Sequence, residues 1–303
     1  MAQIQLGLVI PNGPYRRLSR EEFTTTVEKS LEMAAGHFDS VWLTDHLQFG
    51  DNPLFEGWTA LTYQAALHPQ FKFGHAVLAQ SFRNPALLAK MSATLQYLTN
   101  GRFILGIGAG WKEDEYTAYG YDFPTAGRRL GELEESLQII NALWREKQAT
   151  VEGKYYRVVN AYCEPKPEPL PPIVIGGTKP RILRLIARYA DWWNVSGVSI
   201  DNYKLFVQES ERACEDVGRD PKTLRRTWFG RCLCAPTEEA VQALNVDHLT
   251  ADRAFVGTPE QVIAQMRAFV DLGVDYFMFS NGGFPHLTTL EMLINDVLPA
   301  FES

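Results

Sequence analysis

Short apolar runs alternate with longer amphipathic segments along most of the chain. The apolar runs carry few polar residues on either face, as expected for strands that are covered on both sides of a parallel sheet. The longer segments repeat apolar residues three and four positions apart, which is the spacing of one buried helix face. The pattern therefore predicts an α/β fold in which each strand is followed by a helix. The predicted strands lie at residues 4–10, 40–44, 72–78, 103–107, 173–175, 192–195, 224–234 and 275–279.

Local signals mark the ends of the intervening helices. Ser19 and Glu22 form the two halves of a capping box before the first helix. Asn84 is a favourable N-cap, and Pro85 fills the first helical position, where its missing N–H costs nothing. Thr-Pro-Glu at residues 258–260 opens a strongly amphipathic helix late in the chain. The predicted helices lie near residues 20–35, 57–66, 85–98, 130–143, 180–189, 202–217, 259–272 and 287–301, with a short one after Thr237.

Eight strand–helix units in 303 residues predict one domain, residues 1–303, folded as a (β/α)8 TIM barrel. One insertion interrupts the units. Residues 150–162 are predicted to form a small hairpin outside the barrel, and a proline-rich extended linker follows at residues 165–172. A doubly wound open sheet is the alternative. The barrel is favoured because Pro-Asn-Gly-Pro at residues 11–14 follows the first strand, where such a sheet carries a G-x-G-x-x-G turn.

The composition narrows the class of protein. Hydrophobic residues make up 46% of the chain and charged residues 21%, as in ordinary globular proteins. The net charge of -7 gives no electrostatic support for nucleic-acid binding. No apolar run reaches the roughly 18 residues of a membrane span, and the first strand is not preceded by a basic signal segment. The four cysteines contain no Cys-x-x-Cys pair, so we expect reduced thiols in a cytoplasmic protein.

The first candidates for catalysis are Asp45 and His46, which follow the second predicted strand. In a TIM barrel the working residues lie at the C-terminal ends of the strands and in the loops after them. An imidazole takes or gives a proton near neutral pH, and an adjacent carboxylate can orient the ring or contact a ligand. A surface-loop histidine beside a helix start is the alternative interpretation.

Two glycine-rich turns follow the fourth and fifth predicted strands. Gly-Gly-Thr at residues 176–178 precedes a helix, and this arrangement suits a phosphate group because glycine lets the backbone approach and the helix N–H groups face the anion. Lys179 and Arg181 add positive charge. Gly-Ile-Gly-Ala-Gly at residues 106–110 leaves room for a flat ring, and Trp111 is placed to wall the pocket. A tight βα turn without a ligand is the alternative for both segments.

The remaining titratable residues form no recognisable catalytic or metal-binding pattern. The carboxylates at residues 113–115 are predicted to form a solvated loop face, and His75 in the third strand is predicted to be a satisfied core or lumen residue. A metal-dependent barrel enzyme is disfavoured because histidines and carboxylates do not cluster at the strand ends. We therefore expect no metal site.

Six segments of the chain, taken together, resemble the bacterial-luciferase-like superfamily, in particular its branch of oxidoreductases that depend on the deazaflavin coenzyme F420. They occur in the family's order and cover nearly the whole chain; taken singly, none is specific. The segments are Trp-Leu-Thr-Asp-His-Leu (42–47), Arg-Asn-Pro-Ala-Leu-Leu-Ala-Lys (83–90), Gly-Arg-Phe-Ile-Leu-Gly-Ile-Gly-Ala-Gly-Trp (101–111), Pro-Ile-Val-Ile-Gly-Gly (172–177), Ala-Asp-Trp-Trp-Asn (190–194) and Val-Gly-Thr-Pro-Glu (256–260).

The resemblance implies a flavin-like ring bound in the barrel mouth and a role for several residues around it. His46 matches the family's active-site histidine, which donates or accepts a proton beside the reacting ring. The third strand is expected to end in a non-proline cis peptide that supports the ring. The implied cofactor contacts are Asp45 beside the ligand, Ala76 and Val77 at the cis peptide, Ala109 and Gly110 along the cofactor chain, and Gly176, Gly177 and Thr178 around its phosphate.

The resemblance also implies the reaction class. With F420 the enzyme would transfer hydride to or from a small organic substrate, and Lys179 or Arg181 would line a basic groove for the acidic tail of the coenzyme. A monooxygenase that uses reduced FMN and oxygen is the close alternative, and a non-catalytic flavin-binding relative is a second one. Trp111 stands where some sugar-phosphate dehydrogenases of the family carry a glutamate, so neither a His–Glu relay nor a sugar-phosphate substrate is expected. Family members commonly form homodimers, which we expect here too.

Overall fold

Eight parallel strands close into a barrel in the computed structural model, which describes residues 4–14, 18–243 and 254–301. Each strand pairs with the next one around the ring, and the ring closes where the last strand pairs with the first. The predicted TIM barrel is therefore confirmed over the open sheet. In chain order the barrel strands are β1 (Gln5–Val9), β2 (Ser40–Leu43), β3 (Lys72–His75), β5 (Phe103–Gly108), β8 (Ile173–Gly176), β9 (Trp192–Ser196), β10 (Arg225–Cys234) and β12 (Val274–Asn281).

Four further strands lie beside or outside this ring. β4 (Leu78–Ala79) continues β3 after a break and pairs with β5. β6 (Ala149–Glu152) and β7 (Arg157–Ala161) form the predicted antiparallel hairpin. β11 (Ala254–Gly257) was not predicted; it extends the sheet by pairing with the last four residues of β10. β10 is longer than its neighbour β9, so its last residues have a free edge with which β11 can pair.

The helices surround the barrel, as the amphipathic pattern predicts. They are α1 (Arg20–Ala34), α2 (Gly57–Leu67), α3 (Pro85–Leu98), α4 (Glu113–Ala118), α5 (Ala126–Arg145), α6 (Pro180–Tyr189), α7 (Ile200–Asp216), α8 (Glu238–Ala243), α9 (Pro259–Val270) and α10 (Thr288–Met292). The single final helix predicted at residues 287–301 is wrong in detail, since a π turn at Leu293–Val297 and a 3-10 turn at Leu298–Phe301 follow α10. None of the described helices is long and apolar enough to cross a membrane.

A half-buried carboxylate of α5 binds the turn of the hairpin insertion. Glu135 on α5 accepts hydrogen bonds from the backbone N–H groups of Lys154, Tyr155 and Tyr156, at 2.8, 2.8 and 3.0 Å. These N–H groups belong to the turn between β6 and β7, where no ladder partner exists for them. The insertion is therefore docked on the helix layer and does not enter the barrel.

Large side chains fill the N-terminal half of the barrel interior. Trp42 is fully buried there and contacts Trp192 and Tyr276, with ring centroids 6.2 and 6.3 Å away. Gly7 and Gly74 lie on the strands that flank β2, and a Cβ atom at either position would overlap the Trp42 indole. The two glycines thus make room for the indole, and the barrel is closed at this end. Any cavity for a ligand must lie at the other end.

We predict that Gly106→Ala destabilises the protein by about 1–3 kcal/mol, because an added Cβ would overlap the backbone carbonyl oxygen of His75. Urea unfolding followed by circular dichroism measures the change. Gly283→Ala is the matched control, since the nearest atom to its added Cβ is 3.4 Å away, and we expect a change within about 0.5 kcal/mol. Equal stability of the two variants would contradict this account of the strand contact.

Candidate active site

Small side chains form the floor of the barrel mouth. Side chains alternate between the two faces of a strand, so residues two positions beyond the interior-filling Val174, Asn194 and Met278 also face inward. On β8, β9 and β12 these positions hold Gly176, Ser196 and Ser280, and all three are at least partly exposed. The C-terminal end of the barrel is therefore open above a shallow, small-residue floor. A flat ring system fits such a floor.

The end of the third strand borders this floor in the way that the resemblance implies. The peptide bond between Ala76 and Val77 is cis, and it lies between β3 and β4. Gly106 and Gly108 on the neighbouring strand pack directly against it: a Cβ on Gly108 would lie 2.8 Å from the Cγ2 atom of Val77. The cis bond is confirmed, and the glycines of β5 are explained by close contact with it. The contact of Ala76 and Val77 with a cofactor stays a prediction.

His46 is held at the mouth by a buried carboxylate. Its Nδ1 atom lies 3.0 Å from one oxygen of Glu115, and the other oxygen accepts the backbone N–H of Leu47 at 2.8 Å. Glu115 is only 2% exposed, whereas the His46 side chain keeps 15% of its surface open. Because a carboxylate can only accept, it places the proton of a neutral imidazole on Nδ1. The Nε2 atom is then left with a free lone pair for a ligand.

The prediction that residues 113–115 form a solvated loop is therefore wrong for Glu115. The segment forms the short helix α4, in which Glu115 and Tyr116 turn inward while Glu113 and Asp114 stay exposed. The sequence gives only a weak signal for this arrangement, because Glu115 precedes the aromatic Tyr116 but adjacent helix positions point about 100° apart. Three consecutive carboxylates hid it. A His–Glu pair, which was not expected because Trp111 stands after the glycine turn, is present with Glu115 as the partner.

Aromatic rings enclose the imidazole on two further sides. The Phe49 and Trp111 rings meet the His46 ring edge-on, with centroids 4.5 and 5.7 Å away. Lys112 lies over the Phe49 ring at 4.7 Å and forms an ion pair with Asp114. Trp111 is 68% exposed, so one part of its ring touches His46 while the rest is available to a ligand. Trp111 thus walls the mouth as predicted.

The side chain of Asp45 points away from the mouth into a buried ion-pair network. It is completely inaccessible, and its two oxygens bind the Arg83 guanidinium at 2.8 and 3.0 Å and the Ala79 N–H at 3.0 Å. Arg83 also pairs with Glu56, the N-cap of α2. Burial alone raises the pKa of Glu56, but hydrogen bonds from Thr59 and the Arg83 charge lower it to about 2.

This network ties together the loops after β2 and β3 and the start of α2. Asp45 precedes His46 directly, so the same network fixes the backbone that carries the imidazole. A contact between Asp45 and a ligand remains a prediction, because every oxygen of its side chain is already bonded. His75 lies beneath the network, fully buried and stacked on Trp58 at 5.7 Å. Burial lowers the pKa of His75 to about 4, so it is a neutral core residue near pH 7.

The turn at residues 176–178 opens α6 across the mouth from His46. Gly177 has a φ of +142°, and a Cβ there would lie 2.8 Å from Ile182, so only glycine fits. Pro180 occupies the start of α6. The Arg181 guanidinium lies against Gly127 in the first turn of α5. Its Nη1 atom is 3.2 Å from the position that a Cβ on Gly127 would occupy. Two helix N-termini and a guanidinium thus converge, which is a favourable site for an anion.

The glycine turn after β5 is shaped chiefly by packing. Gly110 has a φ of +73°, and a Cβ there would overlap the hydroxyl of Tyr116. That hydroxyl is 3.1 Å from the Oγ atom of Ser81, which joins α4 to the loop after β4. Ala109 packs half-buried against the core. The two residues border the mouth, and their contact with a cofactor chain is still a prediction.

The chain matches the family model "Luciferase-like monooxygenase" over residues 4–251. A curated relative from Microbacterium testaceum, named F420-dependent glucose-6-phosphate dehydrogenase, is 31% identical over 86% of this chain and 88% of its own length. A protein of the same name from Amycolatopsis mediterranei is 27% identical over 93% of this chain and 96% of its own length. The chain therefore belongs to the luciferase-like monooxygenase family, and it is an oxidoreductase.

Solved structures show the same fold with different chemistries. An F420-dependent secondary alcohol dehydrogenase, bound to an F420–acetone adduct, superposes with a TM-score of 0.86 at 19% identity, over 99% of this chain and 100% of that one. The EDTA monooxygenase of Chelativorans sp. BNC1 gives 0.83 at 18% identity, over 99% and 93% of the two chains. At these identities the likeness establishes the barrel alone.

We predict that Glu115→Leu moves the His46 proton from Nδ1 to Nε2, because the acceptor at Nδ1 is lost. Imidazole 15N chemical shifts of labelled protein report the tautomer without any ligand. The buried Leu47 N–H also loses its partner, which should cost about 1–3 kcal/mol in urea unfolding. Glu115→Gln is the control, since its amide oxygen can still accept from Nδ1. An unchanged tautomer in Glu115→Leu would show that Glu115 does not determine it.

Proposed function

We propose that the protein is an F420-dependent oxidoreductase that transfers hydride between the coenzyme and a small organic substrate. The observation that carries the proposal is the arrangement of the barrel mouth, where His46 and the N-terminus of α6 lie on opposite sides of the small-residue floor. This arrangement suits a flat ring that lies over the floor with a phosphorylated side chain directed towards α6. The near-full-length relatives named as F420-dependent enzymes support the choice of coenzyme.

The residues around the mouth fit the parts of F420 that they would contact. The convergence of the N-termini of α5 and α6 with Arg181 suits the phosphate, and Gly176, Gly177 and Thr178 leave the backbone of the turn accessible there. Lys179 and Arg181 continue outward from this point and suit an acidic tail. The cofactor would also contact the segments that follow β3 and β5, at Ala76, Val77, Ala109 and Gly110. When bound, F420 supplies a carrier for hydride alone.

His46 would handle the proton that accompanies the hydride. With Nδ1–H donated to Glu115, the Nε2 lone pair accepts the hydroxyl proton of an alcohol that is being oxidised, and Glu115 stabilises the resulting imidazolium. In the reverse direction the imidazolium returns the proton. Phe49 and Trp111 shield two further sides of the ring from water. The proton path then requires no metal, and within the described residues no group of three His, Cys, Asp or Glu side chains could hold one.

Glucose 6-phosphate, the substrate in the names of the relatives, is the first compound to test. Trp111 replaces the glutamate that some sugar-phosphate dehydrogenases carry after this turn, which argued against it. Glu115 weakens that argument because it supplies the missing carboxylate from another position. An FMN-dependent monooxygenase remains the alternative on the same fold, and the coenzyme that binds separates the two.

We predict that the purified protein binds F420 more tightly than FMN in fluorescence titrations, and that His46→Ala lowers kcat about 100-fold to 10,000-fold while F420 still binds. His37→Ala is the matched control, since His37 is exposed at the N-terminal end of the barrel. Turnover is followed by F420 absorbance with glucose 6-phosphate and a panel of alcohols. Tight binding of FMN alone, or full activity of His46→Ala, would contradict the proposal.

The surface of α2 and α3 suits the homodimer that we expect. Neither helix carries a charged residue apart from Lys90, although charged residues make up 21% of the chain. Exposed apolar patches of this kind mark contact surfaces between proteins. The exposed apolar side chains on the two helices are Tyr63, Leu67, Leu87, Tyr97 and Leu98.

We predict that the wild-type protein is a dimer in light scattering coupled to size-exclusion chromatography, and that Leu87→Glu with Tyr97→Glu makes it monomeric. Burying the two unpaired carboxylates in the interface would cost more free energy than the apolar contact contributes. Leu205→Glu on α7 is the control, because Leu205 is similarly exposed on another helix. A monomeric wild-type protein would contradict the expectation.

A further inference from the structure

The inward face of β10 carries two arginines, Arg225 at the N-terminal end of the barrel and Arg231 at the mouth. Arg225 packs against the interior rings of Trp192 and Tyr276, and Thr227 bonds to the interior residue Asn194 at 2.9 Å. Phe229 packs against the same interior cluster, whereas Trp228 faces the outer core. Side chains alternate along a strand. Arg231 therefore continues the inward-facing series, one step above Phe229 and at the open end.

The two inward arginines differ in their partners. Arg225, at the N-terminal end of the barrel, binds Asp275 and Gln5, both at 2.7 Å. The side chain of Arg231 is exposed, and it makes no hydrogen bond or ion pair with any residue in 4–14, 18–243 or 254–301. A guanidinium presents five N–H donors in a rigid fork that matches carboxylate and phosphate groups. All of these donors remain available at the mouth.

The position of Arg231 separates it from the proposed cofactor phosphate. Arg231 pairs in register with Ser280 of the floor, on the side of the barrel formed by β10 and β12. The turn at residues 176–178 belongs to β8, two strands away around the ring, and His46 follows β2 on the other side of β1 and β12. Around the ring Arg231 is thus two strands from the α6 N-terminus and three strands from His46, and the effect of its substitution on F420 binding decides which ligand it serves.

We propose that Arg231 binds an anionic group, a carboxylate or a phosphate, on the organic substrate, and so selects acidic substrates over neutral ones. This inference rests on the proposed function and adds the chemical class of the substrate. The protein as a whole carries a net charge of -7, which repels such molecules. A local unpaired cation inside the mouth offsets that repulsion where the substrate enters.

The test uses two pairs of alcohols that differ mainly in charge: glucose 6-phosphate with glucose, and lactate with propan-2-ol. KM is measured with F420-loaded wild-type protein, Arg231→Met, Arg231→Lys and the control Arg184→Met, whose side chain is exposed on α6. We expect Arg231→Met to raise KM for the acidic member of one pair roughly 10-fold to 100-fold and to leave its neutral partner unchanged. Arg231→Lys should fall between, because it keeps the charge and loses the fork. The pair that responds distinguishes phosphate from carboxylate.

A second measurement separates this inference from the proposed function. Calorimetric titration of F420-free protein with glucose 6-phosphate and with lactate reports the anion site alone, and wild-type binding that disappears in Arg231→Met supports the proposal. The proposal is overturned if the wild-type protein neither binds the two acids nor prefers them as substrates. It is also overturned if Arg231→Met changes KM equally for acidic and neutral substrates. A raised Kd for F420 in Arg231→Met would also overturn it, because the guanidinium would then belong to the cofactor site. Failure of F420 to bind any variant counts against the proposed function only.

Discussion

The barrel has a mouth because its bulky interior side chains are gathered at one end. Trp42, Trp192 and Tyr276 fill the N-terminal half, and glycines on the adjacent strands give the Trp42 indole the width that it needs. Towards the C-terminal end the inward positions of β8, β9 and β12 shrink to glycine and serine, while β10 presents Phe229 and Arg231. The three aromatic rings close the bottom of the barrel and leave space at the top, and His46, Trp111 and the turn at residues 176–178 border that space.

Buried carboxylates keep the loops around this space in place. Asp45 binds Arg83 and Glu115 binds His46, and both acids also accept a backbone N–H. A carboxylate removed from water is costly unless all its oxygens are bonded, so each acid tolerates only one arrangement of its loop. The consequence for chemistry is that the imidazole is oriented before any ligand arrives. The bonded loops fix the orientation of the imidazole, and the barrel strands fix where it lies.

Fold similarity and site chemistry answer different questions here. Solved structures of an F420-dependent alcohol dehydrogenase and of an EDTA monooxygenase match the barrel about equally well. Such a barrel positions a planar ring without deciding whether that ring carries hydride or activates oxygen. The choice depends on the few groups at the rim, which is why the His46–Glu115 pair, the N-terminus of α6 and the unpaired Arg231 side chain carry more functional information than the superposition.

The sequence by itself predicted the barrel, the order of its strands and the hairpin insertion, and it pointed to His46 as a candidate, because periodicity, capping residues and strand-to-loop order are local properties of the chain; the third strand, predicted to reach residue 78, ends at His75. The cis bond at Ala76–Val77 came from resemblance, and the structure supplies its setting among the β5 glycines. Only the tertiary structure decided that Glu115 turns inward to His46, that the Asp45 carboxylate turns away from the mouth to Arg83, and that β11 extends β10. These facts join residues from different strands and loops. Which buried charge meets which partner depends on the closure of the barrel, and no local pattern along the chain records that closure.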